Sequence, residues 1–243
     1  MPATFIEDAS AYGQDGFTSS ATQTAPLWSR ATTKDGRIFR YVQAVADTVA
    51  GSVYQSTAPI ALHLARTAPI VAVGATSFVF TPGAAGGAAN LYGEGYLQVD
   101  TTPGNGYTYG VYGHAAITSS VAFTVNLADP IQVALTASST VGLVHNPGKN
   151  VIVMPTTATA AVAGVAPYII STAQYGWLQT WGPCSTLING TPGVGIGVVI
   201  SATTAGAVDV AAVAAEINTR QVGHMMQVGV STKNNMVFLR IHP

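Results

Sequence analysis

The sequence predicts an all-β protein, an antiparallel β-sandwich or barrel-like body with an extended N-terminal arm and at most one short helix. Three observations predict it. Apolar and polar residues alternate through short runs, a period of two rather than about 3.6 residues. The runs are rich in Val, Ile, Thr, Tyr and Phe, which suit a pleated, half-buried surface. Between them, 26 glycines and 13 prolines interrupt the chain too often for helices of several turns.

Residues 1–36 come first, mostly Ala, Ser, Thr, Gln, Gly and Asp with isolated large residues at Phe5, Ile6, Tyr12, Phe17, Leu27 and Trp28. No period persists there, so the segment reads as an arm whose aromatic anchors dock on a neighbour or on the body. Lys34-Asp35-Gly36-Arg37 signals a turn, residues 38–45 after it are rich in β-formers, and 60–64 form a second run. From residue 70 onward, strands are expected at 70–73, 77–80, 95–99, 107–112, 122–125 and 131–135. Thr102-Pro103-Gly104-Asn105-Gly106 carries the residues of a hairpin turn, and the Ala/Gly-rich loop 81–90 is expected to be exposed and mobile.

After Pro147-Gly148 come strands at 150–154, 167–170, 175–184 and 186–191. Asn189-Gly190 signals a hairpin leading into 198–200. The one helix candidate is 208–218, where Val210, Val213 and Ile217 fall at helical spacing among alanines. Residues 227–230 and 236–241 close the chain as a hairpin. The expected organisation is an arm of 1–36, a body of 37–70 plus 146–243, and an inserted β module of 71–145.

Tyr175-Gly176-Trp177-Leu178-Gln179-Thr180-Trp181-Gly182-Pro183-Cys184 holds two of the three tryptophans and the only cysteine. As a regular strand it places Tyr175, Trp177, Gln179 and Trp181 on one face, with the indoles about 13 Å apart. That face suits a core, a subunit interface or stacking on a sugar chain.

Charge sets the strongest bound on function. Nine Lys/Arg and ten Asp/Glu make 8% of the chain, against about 25% in ordinary soluble domains. Such a surface favours life in an assembly. A net charge of −1 without a basic cluster argues against nucleic-acid binding. The longest apolar stretch, 193–215, is interrupted by Asp209 and several Ser/Thr, which argues against a membrane span. The opening residues lack a signal-peptide pattern, so synthesis in a cytosol is expected.

Catalytic patterns are sparse. Glu94 and Asp100 read as loop-edge charges, Asp129 before Pro130 as a turn acceptor, and Cys184 as an inert, buried or semi-buried thiol. The histidines His63, His114, His145, His224 and His242 show no metal-ligand spacing. Gly193-Val194-Gly195-Ile196-Gly197 misplaces the third glycine of a dinucleotide fingerprint. No enzyme activity, cofactor or metal is expected.

The order of Gly36-Arg37-Ile38-Phe39-Arg40-Tyr41-Val42, Gly95-Tyr96-Leu97, Gly106-Tyr107-Thr108-Tyr109, and Val165-Ala166-Pro167 leading into Tyr175-Gly176-Trp177 resembles virion structural proteins of tailed bacteriophages. It is most similar to head decoration (cement) proteins, over most of residues 36–243; residues 1–35 lie outside the resemblance. The resemblance implies a capsid-surface protein made in the host cytoplasm, commonly a homotrimer, whose partner is the major capsid protein. The candidate interface residues, read from the arm's anchors and the aromatic strand face, are Phe5, Tyr12, Phe17, Trp28, Tyr175, Trp177 and Trp181. A virion fibre or receptor- and polysaccharide-binding module is the alternative.

Overall fold

The computed structural model describes residues 5–7, 14–210 and 221–243. The chain forms two compact units, Met1–Thr57 with Pro147–Pro243 and, separately, Ala58–Asn146. Among the described residues the strands are, in order, β1 (Phe5–Glu7), β2 (Arg30–Thr33), β3 (Ile38–Gln43), β4 (Val53–Gln55), β5 (Arg66–Thr67), β6 (Ser77–Phe80), β7 (Tyr96–Val99), β8 (Thr108–His114), β9 (Phe123–Leu127), β10 (Thr140–Val144), β11 (Ile152–Val153), β12 (Val162–Val165), β13 (Tyr175–Leu187), β14 (Gly197–Ile200), β15 (Val208–Val210), β16 (Gln221–Met225) and β17 (Asn234–Arg240). One 3-10 turn, Ala61–His63, is the helical element among them. The protein is all-β, and every strand pairing is antiparallel.

In the first unit the sheet runs β1-β2-β3-β13-β17-β16-β14-β15, with β12 joining β4 and β11 to it. β13 is its spine. Residues Tyr175 to Trp181 pair with β3, and Trp181 to Leu187 pair with β17. The described part of the arm docks on this same unit: Ala25, Leu27 and Ala31 bury against Phe39, Tyr41 and Trp177. Gln14 locks it down, donating to Tyr175 O (3.1 Å) and accepting from Tyr41 Oη (2.9 Å). Burying those side chains removes the need for a separate partner to cover them.

The second unit is one sheet in the order β5-β10-β7-β8-β9-β6. Its core includes Phe80, Tyr92, Leu97, Val125, Leu135 and Leu143. The hairpin at 102–106 joins β7 to β8 as the turn residues indicate, with positive φ at Gly104 and Gly106.

Several expectations are corrected. Residues 58–70 belong with the second unit, because β5 pairs with β10 there. Within 60–64, Ala61–His63 form the 3-10 turn rather than a strand, and His63 is fully buried. The segments 70–73 and 131–135 make paired turns, not strands: Val71 and Leu135 exchange both backbone bonds, while Gly74 N–H donates to Ile131 O. Residues 167–170 form no strand, and β12 just before them takes that place in the sheet. Asn189-Gly190 is not a hairpin, since the second half of β13 pairs with β17 and β14 pairs with β15 and β16. Asn189 instead spends its Nδ2 on Asp209 Oδ2 (2.6 Å). The proposed helix 208–218 opens as strand β15, whose Val208 is fully buried; residues 211–220 lie outside the described ones. In the closing hairpin the first strand is Gln221–Met225, which pairs with β17 and buries Val222 and Met225, so 227–230 becomes its loop.

Candidate functional site

The two tryptophans of β13 do not share a face. Trp177 pairs with Tyr41 and Gln179 with Phe39, but Trp181 pairs with Ile38, because an extra residue bulges between Gln179 and Trp181. Directly opposed residues share a face and neighbours alternate, so the bulge turns Trp181 to the opposite side. Trp177 is fully buried against Tyr41, with ring centroids 4.9 Å apart. A platform using both indoles is therefore not present. The side chain of Gln179 staples the bulge, donating Nε2–H to Trp181 O (3.0 Å) and Pro183 O (2.8 Å). Gly182, at φ +86°, then lets the strand continue through Pro183 to Leu187.

Beyond the bulge, Gly182 and Cys184 face inward with Leu239 and Val237, while Trp181, Pro183 and Ser185 face outward with Arg240, Phe238 and Met236. That outer face carries a half-buried aromatic row. Trp181 meets Phe238 edge-on at 5.8 Å, and Phe238 stacks on His224 at 5.3 Å. Gly197, opposite His224, ends the row with no side chain. A groove of about 300 Å³ lies beside it, walled by Phe17, Pro167, Pro183 and Met236.

A second surface lies at the ends of the same strands. Val194, Ile196, Met226, Val228 and Val230 are each between 44% and 63% exposed. Their two loops are stitched together by Gly195 N–H to Met225 O (2.9 Å) and Gly229 N–H to Pro192 O (2.8 Å). Neither 190–198 nor 225–232 contains a charged residue.

The remaining predicted contact residues are dispersed. Phe5 lies on β1, its backbone opposite Thr33. Tyr12 is outside the described residues. Phe17 is 39% exposed, with its ring 6.0 Å from Tyr168. Trp28 is half-buried at φ +69°, edge-on to His242 (5.4 Å) and under the Arg40 guanidinium (5.8 Å). Tyr175 stacks on Tyr41. Sequence reasoning missed the bulge, for which Gln179 before Gly182-Pro183 was the available signal, and it missed the apolar loop pair by treating 227–230 as strand.

No assembled catalytic chemistry is evident among the described residues. Burial pushes the Cys184 thiol up to about 12. Glu94 and Asp100 are exposed at opposite ends of β7, and Asp129 accepts from Gly110 N–H (3.1 Å). Among the described residues, no group of three His, Cys, Asp or Glu is placed to hold a metal ion, and no helix is long and apolar enough to cross a membrane. No known protein family matches the chain, nor does any curated protein or solved structure.

Proposed function

We propose that the chain is a tailed-phage virion structural protein, a head decoration protein that binds the outer surface of the major capsid protein lattice and stabilises the mature head, as a homotrimer. The carrying observation is the uncharged apolar loop pair around Val194, Ile196, Met226, Val228 and Val230. A patch of this kind is stabilised by a covering partner at about 25 cal/mol per Å² of apolar area removed from water. Binding that favours the expanded lattice shifts the head toward that state by mass action. The chain would act structurally, without a chemical step.

The test mixes the purified protein with expanded, DNA-free heads of the major capsid protein from the same genome. Co-sedimentation and a raised head melting temperature are the expected result; no binding at micromolar concentration overturns the reading. The half-exposed row of Trp181, Phe238 and His224 favours one alternative, a fibre or receptor module that stacks on glycans. Binding on a glycan array that Trp181→Ala abolishes would select that alternative.

A further inference from the structure

Three of the five histidines lie in the unit Ala58–Asn146, arranged around one tyrosine. The rings of His63, His114 and His145 sit 5.6, 5.7 and 4.7 Å from that of Tyr92. All four residues are buried.

Their hydrogen bonds constrain the protons. Ala85 O can only accept, so His63 Nε2 carries a hydrogen (3.0 Å), and His63 Nδ1 bonds the Tyr92 hydroxyl (2.5 Å), which can donate or accept. Ala115 O likewise requires hydrogen on His114 Nδ1 (2.7 Å), leaving His114 Nε2 to accept from Tyr92 N–H (3.0 Å). The His114 imidazole is neutral in this arrangement. A proton added to His114 Nε2 would point at another donor.

These bonds tether segment 81–95, between β6 and β7. The Ala/Gly-rich part expected to be mobile is held in place. Gly83 N–H donates to Leu62 O (2.7 Å), Gly87 bridges Ile117, and Asn90 clasps the His114 backbone through its own N–H (3.0 Å) and its Oδ1 (2.9 Å). Glu94 N–H donates to Val111 O (2.9 Å) and Ser120 N–H to Gly83 O (3.0 Å), and Tyr92 adds its bonds to His63 and His114.

We propose that this cluster is an acid-operated clasp: protonation of His114 releases segment 81–95 from its sheet while the first unit stays folded. Neither ring bonds a carboxylate that could stabilise its charged form. The segment itself presents Tyr92, whose phenol burial holds far above its ordinary range, and β10 leads into His145. β6 and β9 contribute only Phe80 and Phe123. Glu94 is exposed at one end of the segment, Tyr112 of β8 is exposed, and Arg66 of β5 donates to Thr81 O at the other end.

Burial lowers the pKa of His114, and nearby His63 adds to the lowering, against an opposing pull from the Ala115 carbonyl. For a base lowered in the folded state, the stabilisation is complete above the unfolded value of about 6.5 and is lost as pH falls below it. With His114 held neutral, the opening constant rises by up to about tenfold per pH unit in that window.

Hydrogen exchange of the full chain between pH 7.5 and 4.5, corrected for intrinsic rates, tests the clasp. Amides of 81–95 are expected to lose protection by up to about tenfold per pH unit below about pH 6, while those of β13 and β17 hold. In His114→Gln, the Gln Oε1 can accept the Tyr92 N–H without titrating, so protection at pH 7.5 should persist and the acid slope should fall by about one proton. Flat protection of 81–95, loss in step with β13, or an unchanged slope in His114→Gln each overturns the proposal. Should that variant not fold at pH 7.5, the wild-type exchange pattern alone decides.

Discussion

The two units bury polarity in different ways. In the first, the buried polar side chains are largely amides and hydroxyls, such as Gln14, Gln55, Gln179, Thr180 and Thr186, which cannot change charge near neutrality. Its buried ionisable groups point the same way: burial raises Tyr54, Tyr168 and Cys184, keeping each neutral form. In the second, imidazoles supply comparable bonds, and imidazole is the side chain whose ordinary charge change falls between about pH 5 and 8. A chain poor in charge is not thereby indifferent to pH. What matters is which unit holds the titratable partner of a tethered segment.

The largest expected effect tests the packing side of this contrast. Trp177→Ala empties a fully buried site between Tyr41 and the docked arm, and should cost about 3–5 kcal/mol by denaturant unfolding. Trp181→Ala, on the outer face beyond the bulge, should cost about 1 kcal/mol or less. Equal losses would mean that the bulge does not separate the two indoles. Next is the silence of the first unit's thiol. With Cys184 pushed up to about 12 from an ordinary value near 9, its thiolate is about a thousandfold scarcer at pH 8. The folded protein should resist a thiol reagent at that pH and react promptly in denaturant; rapid native labelling would show that this core opens.

The fold class was legible because strand period and glycine/proline punctuation are local signals, and β3, β6, β7, β8 and β13 fall close to where those signals put them. Pairing was less legible. Asn189-Gly190 looks like a hairpin from its neighbours alone, but β17 arrives from 47 residues downstream of Leu187 to pair with that end of β13. The candidate surface was half legible: the tryptophans were conspicuous, while their separation depends on one inserted residue that reverses every later side chain. The histidine cluster could not be read at all. His63, His114 and His145 lie on elements far apart in sequence, and only the closing of the six-stranded sheet brings them to Tyr92.

A smaller effect probes the second unit directly. Tyr92→Phe keeps the ring but removes the hydroxyl bonded to His63 Nδ1, leaving a buried ring nitrogen unsatisfied. The expected cost is about 1–3 kcal/mol. Urea unfolding at pH 7.5 measures it, with local exchange placing the loss in 81–95 rather than β13. A loss spread equally over both units would erase the distinction between them.

The smallest effect on folding should come with the largest effect on association. Val228 and Val230 are 60% and 51% exposed, so changing both to serine removes little buried area and should alter stability by about 0.5 kcal/mol or less. If the uncharged loop pair is the covered face of an assembly, the same change places two hydroxyls where a partner needs dry contact, and association should weaken by about tenfold or more. Mass photometry and head co-sedimentation read that loss against an unchanged melting temperature. Unchanged association at full stability would move the contact to the Trp181 row, where the aromatic side chains of the first unit reach solvent.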